Sequence, residues 1–191
     1  MATPKRRRWD AILDRIPEGS RMRGAEVGVL MANTSMRLLV ARPLITHIMI
    51  DAWMVPEAGS SYAKSGDDNS AKDQDAHEAA YQTTLRRVSQ FGDRAVIMRM
   101  MSDEACRQIE DGSLDYVFID ADHSYEGVRD DIDRWLPKVK AGGWIGGHDY
   151  EHPRFPGVSL AVFEAFGAYP NPIETDDNRT WFVRIVDAGG F

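Results

Sequence analysis

The chain alternates short apolar, β-prone runs with segments whose apolar residues recur at helical spacing. Strands are predicted at residues 25–31, 45–50, 95–100, 114–120 and 144–147. Apolar strands separated by helices are typical of a parallel sheet that is buried on both sides. Right-handed crossovers place the connecting helices on its two faces. The alternation therefore predicts an α/β fold with a mostly parallel sheet and helices on both faces.

Three further segments complete the predicted architecture. A helix after the first strand is expected to be capped by Thr34 or Ser35. Residues 56–70 are polar, rich in turn-forming residues and too long for an ordinary connection, so they are predicted to be a mobile loop able to close over a site. Strands near Ile173 and at 181–186 are expected to form a hairpin around residues 176–178.

Length and composition limit the possible classes. A chain of 191 residues suits one domain, so residues 1–191 are predicted to be a single domain with a tail and helix at 1–20 and a mobile loop at 54–70. The net charge of −7 argues against nucleic-acid binding. One cysteine excludes an internal disulfide, and no stretch suggests a membrane span or signal peptide, so a cytoplasmic protein without membrane contact is expected.

Two charged runs have an ordinary interpretation. The basic cluster Lys5–Arg8 is expected to be a solvated tail, with contact to an anionic partner or substrate as the alternative. The acidic run Asp130–Asp133 is expected to be the solvated face of a helix.

Acidic and imidazole side chains follow two of the predicted strands. Asp120 and His123 come after the fourth strand, and His148 and Asp149 come after the fifth. The segment between these strands has the length of one crossover helix, so the two strand ends should be neighbours. Because ligands of open α/β sheets bind at the carboxyl ends of strands, this edge is a candidate site.

The first two strands point to the kind of ligand. The turn after the first strand keeps Gly28 but lacks the other glycines of a dinucleotide-binding fingerprint, and Glu26 stands two residues before it. A carboxylate there suits a cation better than a phosphate. Asp51, which ends the second strand, is placed to accept hydrogen bonds from ribose hydroxyls. A solvent-facing charge at Glu26 and a turn cap at Asp51 are the structural alternatives. Together the two residues favour a positively charged nucleoside.

Several motifs together resemble a known family. They are Glu-Val-Gly at 26–28, Ile-Asp-Ala-Trp at 50–53, Phe-Ile-Asp-Ala-Asp-His-Ser-Tyr-Glu at 118–126 and Gly-Gly-His-Asp-Tyr at 146–150. They are similar to class I S-adenosylmethionine-dependent methyltransferases. More narrowly, they resemble a small group with Ile-Asp-Ala-x-His-x-Tyr and Gly-His-Asp-Tyr signatures, related to metal-dependent catechol and macrolide-sugar O-methyltransferases. The resemblance covers residues 24–186 and implies a Rossmann-like methyltransferase fold with seven strands.

The resemblance implies positions for the cofactor. Glu26 and the Gly28 backbone would lie by the methionine moiety, Asp51 would hold the ribose with Trp53 near it, and Ser102 would lie in the adenine loop. The chain departs from the family at Ala32-Asn33, where a glycine-containing turn is usual.

The resemblance also implies a catalytic centre. Asp120, His148 and Asp149 match the positions that bind a divalent metal such as Mg²⁺ in metal-dependent relatives. Asp120 would thus act in catalysis and beside the cofactor as well, and His123 would act as the base. Polar lining without metal, and a substrate-orienting or structural role for His123, are the alternatives. Carboxylates suit Mg²⁺, whereas the imidazole of His148 favours Mn²⁺, Fe²⁺ or Zn²⁺.

These observations lead to one favoured function and two alternatives. The favoured one is an S-adenosylmethionine-dependent O-methyltransferase acting on a small hydroxylated molecule such as a sugar, polyol or phenolic. One alternative is an S-adenosylmethionine-binding protein without methyl transfer, which the departure from the family at Ala32-Asn33 suggests. The other is a metal-dependent hydrolase-like protein. A homo-oligomer formed through the N-terminal helix is also open.

Overall fold

A single seven-stranded sheet forms the centre of the molecule. The computed structural model describes residues 6–186. The strands are β1 (Arg23–Val27), β2 (Thr46–Asp51), β3 (Ala95–Arg99), β4 (Leu114–Ile119), β5 (Val139–Gly147), β6 (Glu174–Thr175) and β7 (Trp181–Arg184). Their order is β3-β2-β1-β4-β5-β7-β6, with parallel pairing from β3 to β5 and β7 antiparallel to β5 and to β6. The predicted mostly parallel sheet and terminal hairpin are confirmed.

The helices connect these strands in the expected alternation. They are α1 (Arg8–Leu13), α2 (Asn33–Ala41), α3 (Ser61–Lys64), α4 (Gln74–Val88), α5 (Ser102–Arg107), α6 (Tyr125–Trp135) and α7 (Pro156–Phe166), with 3₁₀ turns at Ser89–Arg94 and Leu136–Lys138. Within residues 6–186, no helix is long and apolar enough to cross a membrane.

The alternation of side chains along the strands divides the core between two faces. Ile48 and Ile50 of β2 pack with α5, α6 and α7, whereas Met49 between them packs with α4 on the opposite face. In β4, Val117 faces the first set of helices, and Phe118 packs with α1 and α2 on the other side. Helices therefore cover both faces of the sheet, as predicted from the apolar character of the strands.

The turn between β1 and α2 has an unusual backbone. Gly28 has φ +87°, and the non-glycine residues Leu30 and Ala32 also have positive φ, at 51° and 55°. The expected cap by Thr34 or Ser35 is wrong. Ala32 is the residue before the helix, and no side chain caps it. The Ser35 hydroxyl instead donates to the Glu26 carboxylate. This buried acceptor is available because Ser35 faces the sheet.

Gly28 cannot carry a side chain where it lies. A Cβ atom there would be 2.2 Å from the carbonyl oxygen of Asp120 and 2.7 Å from the Cα of Ala121. The absence of a side chain allows the turn after β1 to contact the backbone that follows β4. These two segments carry residues of the predicted site.

We expect Gly28→Ala to destabilise the protein by more than about 2 kcal/mol, because the substitution adds both a steric clash and an unfavourable φ. Urea denaturation measures the free energy of unfolding. Ala32→Gly is the matched control in the same turn. Glycine removes the strain of an alanine at positive φ. It also removes a buried methyl group and raises the conformational entropy of the unfolded chain. Because these effects oppose each other, the free energy of unfolding should change by no more than about 1 kcal/mol. Equal effects of the two substitutions would contradict this account of the turn.

Candidate functional site

The carboxyl ends of the central strands meet at one edge of the sheet. The Gly28 N–H donates to the Ile50 carbonyl at 2.9 Å, and the Asp120 N–H donates to the Val27 carbonyl at 2.7 Å. One strand further, the His148 N–H donates to the Ile119 carbonyl at 3.1 Å. These bonds continue the pattern of hydrogen bonds between parallel strands beyond the ends of the strands. The turns after β1, β4 and β5 therefore lie side by side, at the position where open α/β sheets bind ligands.

A cleft of about 420 Å³ opens at this edge. It is lined by residues that follow four strands, among them Gly28, Asp51, Ser102 and Asp122, and by Tyr62 of α3. Its volume lies in the range of about 300–1,000 Å³ that is usual for small-molecule sites.

The lining of this cleft is strongly acidic. Seven carboxyl side chains lie along it, opposed by one guanidinium, that of Arg134. The acidic residues are Asp51, Glu57, Asp103, Asp122, Glu126, Asp130 and Asp131. Clustered charge of one sign favours ligands of the opposite sign. The cleft therefore favours a cationic ligand over a phosphate-bearing one.

Asp51 organises the turn after β1 as well as lining the cleft. Its Oδ2 accepts from the backbone N–H groups of Val29 at 3.0 Å and Leu30 at 2.9 Å, and its Oδ1 accepts from Trp53 N–H at 2.8 Å. A carboxylate has about four lone-pair sites, so one on Oδ1 stays available for a ligand hydroxyl. The turn-cap interpretation of Asp51 is thus confirmed, and contact with a ribose remains a prediction.

Glu26 and Trp53 lie behind the cleft, and neither lines it. Glu26 is buried because the alternation along β1 directs its side chain to the face covered by α1 and α2. Its carboxylate accepts from the Ser35 hydroxyl and lies 3.4 Å from Nε2 of His47, whose Nδ1 is 2.9 Å from the Tyr116 hydroxyl. The interpretation of Glu26 as a solvent-facing charge is therefore wrong.

Trp53 supports the turn from the opposite side. Its indole N–H donates to the Leu30 carbonyl at 2.7 Å, and its ring packs on Tyr81 with centroids 4.9 Å apart. The side chain is buried. Trp53 therefore supports the turn after β1. Its link to a bound ribose would be indirect, through the Asp51 carboxylate that accepts from its backbone N–H.

Ser102 begins α5 at the far side of the cleft. Its hydroxyl donates to Asp131 Oδ1 at 2.5 Å and accepts from the indole N–H of Trp135 at 2.9 Å. Asp131 is buried, so the expectation of a solvated acidic helix face is wrong at this residue. Its neighbours at helical spacing, Val128, Ile132 and Trp135, are all buried. This periodicity could have identified Asp131 from the sequence.

Burial changes the acidity of Asp131. Desolvation raises its pKa to about 6, against the ordinary value of 3.8, although the hydrogen bond from Ser102 and the charge of Arg134 act in the opposite direction. Folding therefore favours the protonated carboxyl.

Carboxylates and imidazoles from β4 and β5 form a second, adjacent group, which we call the acid–imidazole cluster. Asp120, His123 and Asp149 each direct one potential ligand atom to positions within 4.8 Å of one another. His123 Nε2 lies 3.4 Å from Asp120 Oδ1 and 3.2 Å from Asp149 Oδ2. The two strand ends are thus brought together as predicted.

His148 lies beside the acid–imidazole cluster. Its Nδ1 is 3.1 Å from Asp149 Oδ2 and 3.9 Å from Asp120 Oδ1. This nitrogen is buried against the Asp149 carboxylate. Burial would raise the pKa of Asp149, but the contact with His148 and the positive charges of His148, His123 and His152 lower it overall.

The segment after β2 contributes a residue that the sequence did not indicate. This segment contains α3, and Asp67 within it is buried against the acid–imidazole cluster. Asp67 Oδ2 lies 2.7 Å from Nδ1 of His123. Burial would raise the pKa of Asp67, but the interaction with His123 and the hydrogen bond from the Asn69 N–H lower it overall. Phe155 packs on the His123 ring, with centroids 4.7 Å apart.

Arg8 is a second residue at this edge, and the sequence offered a substrate contact only as the alternative for its basic cluster. It begins α1, is only partly exposed, and forms an ion pair with Asp120. Burial lowers the pKa of its guanidinium, an effect that the charges of Glu26 and Asp149 oppose. The solvated-tail expectation is therefore wrong for Arg8, while Lys5 lies outside the described residues. Neither Asp67 nor Arg8 belongs to a motif, and only the fold brings them to this edge.

We expect Asp131→Asn to stabilise the protein relative to wild type as the pH rises. The raised pKa of Asp131 contributes stability below its unfolded pKa, and this contribution is lost as the pH rises through about 6. The variant should therefore gain about 2–3 kcal/mol relative to wild type between about pH 4 and about pH 8. Chemical denaturation at several pH values measures this difference. Asp130→Asn, a more exposed neighbour, is the control, and a pH-independent difference for Asp131→Asn would contradict the assignment.

Comparisons with curated sequences identify a domain family. A family model described as a methyltransferase domain matches residues 26–150. An uncharacterised protein of Acanthamoeba polyphaga mimivirus is 31% identical over an alignment that covers 48% of this chain and 54% of that protein. An uncharacterised protein of Sinorhizobium fredii is 30% identical over 39% of this chain and 8% of that protein. The chain thus spans about half the length of the first relative and less than a tenth of the second.

Solved structures share the fold at low identity. A calicheamicin methyltransferase superposes with a TM-score of 0.66 at 15% identity, covering 92% of this chain and 76% of that one. The O-methyltransferase NovP gives 0.56 at 17%, covering 93% and 75%. An O-methyltransferase from Bacillus cereus in complex with SAH gives 0.58 at 15%, covering 91% and 77%. The predicted Rossmann-like methyltransferase fold is confirmed.

The family match extends from the buried Glu26 of β1 to the residues that follow β5, and so includes both the acidic cleft and the acid–imidazole cluster. The chain belongs to the methyltransferase domain family.

Proposed function

We propose that this protein transfers the methyl group of S-adenosylmethionine to a hydroxyl oxygen of a small molecule such as a sugar, polyol or phenolic, with the assistance of a divalent metal. One observation carries the proposal. A cleft suited to a cationic nucleoside lies directly beside a cluster of carboxylates and imidazoles that can bind a metal and accept a proton. The proposed sites for the methyl donor and for the acceptor are therefore adjacent.

The acidic cleft has the features that the cofactor needs. Its seven carboxyl groups favour a ligand that carries sulfonium and ammonium charges. Asp51 keeps one lone-pair site for a ribose hydroxyl, and Gly28 contributes to the lining of the cleft. Ser102 and Met101 line the part of the cleft beside β3, where adenine would lie.

The donor atoms of the acid–imidazole cluster fit a divalent metal. Asp120 and Asp149 offer hard oxygen atoms, and His123 offers a nitrogen within the same 4.8 Å group. The buried Nδ1 of His148 lies 3.1 Å from Asp149 Oδ2 and can serve as a further donor to the metal. A bound divalent cation would lower the pKa of the acceptor hydroxyl and fix its oxygen.

Two ligand sets are compatible with these residues, and they differ in the role of His123. If Asp120, His148 and Asp149 bind the metal, Nε2 of His123 is available to take the acceptor proton. Asp67 at Nδ1 would then hold the ring and stabilise its charged form, as a carboxylate does for a catalytic histidine. If His123 itself is a ligand, it cannot act as the base. We favour the first set because Asp67 contacts Nδ1 of His123, the arrangement expected of a base, and because Nδ1 of His148 lies 3.1 Å from Asp149.

The chemistry requires the hydroxyl oxygen to approach the methyl carbon in line with the bond to sulfur. Holding both reactants at one edge of the sheet removes much of the entropic cost of their meeting, on the order of 7–11 kcal/mol in favourable cases. The positioning of Asp120 by the Gly28 turn therefore bears directly on the rate.

We expect His123→Ala and Asp149→Ala to lower turnover by at least about 100-fold, because a base or a metal ligand is lost. Their affinity for S-adenosylmethionine should stay within about threefold of wild type, since neither residue lines the acidic cleft. Calorimetry measures cofactor affinity, and release of the demethylated cofactor with hydroxylated acceptors measures turnover.

The same variants separate the two ligand sets. His148→Ala should weaken Mn²⁺ binding more than His123→Ala does if His123 is the base, and the reverse ranking would assign His123 as a ligand. Failure of the wild-type protein to bind S-adenosylmethionine or its demethylated product at millimolar concentration would contradict the proposed function. Binding without turnover for any acceptor would favour the non-catalytic alternative.

Removal of Arg8 should strengthen metal binding. The guanidinium pairs with Asp120, so a divalent cation at that carboxylate must overcome repulsion from a fixed positive charge. We expect Arg8→Gln to raise Mn²⁺ affinity about tenfold, measured by calorimetry or by electron paramagnetic resonance. Arg21→Gln, an exposed arginine outside the site, is the control. Unchanged affinity in Arg8→Gln would place the metal away from Asp120.

A further inference from the structure

A second cleft, of about 360 Å³, lies on the other side of the acid–imidazole cluster and has the opposite charge. We propose that this basic cleft binds a phosphate group carried by the methyl acceptor. Its lining residues are Arg6, Arg7, Arg8, Trp9, His148, Asp177, Asn178 and Arg179. The inference rests on the proposed function, since it assigns the substrate class of the same site.

Two of the four arginines in the basic cleft already have carboxylate partners. Arg6 pairs with Asp14 and Asp176, and Arg8 pairs with Asp120. Within residues 6–186, Arg7 and Arg179 form no ion pair. They come from segments at opposite ends of the chain, and both line the cleft. Their charges are therefore available to an anion.

Asn178 provides an independent indication of a ligand. Both polar atoms of its side-chain amide are buried, and neither makes a hydrogen bond within residues 6–186. Buried polar groups are nearly always paired, so an unpaired amide in the lining of a cleft calls for a partner. The amide N–H₂ group can donate to a phosphate oxygen.

A backbone hydrogen bond links these groups to the segment that follows β5. The turn between β6 and β7 keeps Arg179 at φ +67°, and the carbonyl of Arg179 accepts from the Tyr150 N–H at 3.1 Å. Tyr150 directly follows Asp149. The turn that carries Asn178 and Arg179 is thus tied to the segment that carries His148 and Asp149.

The chemistry of the lining favours a phosphate over other acceptor groups. Guanidinium groups bind phosphate oxygens through paired hydrogen bonds, and two arginines with an amide match the several oxygens of a dianion. His148 borders both the basic cleft and the acid–imidazole cluster. A molecule with its phosphate at Arg7 and Arg179 would therefore place a hydroxyl group beside Asp120 and Asp149. The acceptor is thus a phosphorylated hydroxy compound.

The test uses the full chain, without metal, and inorganic phosphate as the probe. We expect calorimetry at low salt to detect phosphate binding to wild type, and the double variant Arg7→Gln/Arg179→Gln to weaken it at least about tenfold. Arg86→Gln, on the exposed side of α4, should bind phosphate like wild type. Arg179→Lys keeps the charge and should bind with intermediate affinity, and thermal unfolding verifies that each variant is folded.

Absence of phosphate binding to wild type, or equal binding by wild type and the double variant, would overturn the inference. Acetate should bind more weakly than phosphate. Equal binding of the two anions would indicate a site for a carboxylate and would also overturn the inference. Titration of S-adenosylmethionine is run separately. If the cofactor binds and phosphate does not, only this inference fails, whereas lack of cofactor binding contradicts the proposed function.

Discussion

The close contact between the Gly28 turn and the backbone of Asp120 is the constraint on which the site depends. The turn after β1 reaches the end of β4 only because Gly28 carries no side chain. Asp51 then fixes the next two residues of the turn through their N–H groups. The acidic cleft and the acid–imidazole cluster consequently share one wall. A side chain at Gly28 would disturb both at once, which links the stability of the fold to the geometry of the site.

Charge is distributed unevenly along the edge of the sheet. The acidic cleft beside β1, β2 and β3 is followed by the acid–imidazole cluster at β4 and β5, and then by the basic cleft near the turn between β6 and β7. Such a gradient orients a ligand pair, since a cation and an anion are drawn to opposite ends of the same edge. The basic end of this edge includes Arg6, Arg7 and Arg8, although the chain has a net charge of −7.

The candidate site was predictable from sequence where its residues lie at the ends of strands. Asp51, Asp120, His148 and Asp149 occur at strand ends, and parallel pairing brings such ends together whatever the details of packing. Glu26 lies on the predicted strand, but the alternative of a solvent-facing charge is wrong, because the alternation along β1 turns its side chain toward Ser35 and His47. Asp131 was missed because its charge was weighed above the periodicity of α6.

The sequence by itself determined the α/β class, the order of elements and the edge of the sheet where the site lies. It did so because apolar periodicity and strand-end residues are local signals. Only the tertiary structure decided that Asp67 contacts His123, that Arg8 pairs with Asp120, and that Arg7 and Arg179 line one cleft. The members of these pairs are separated by more than 50 residues, and no local pattern encodes a contact that depends on how a loop and the N-terminal helix pack against the finished sheet.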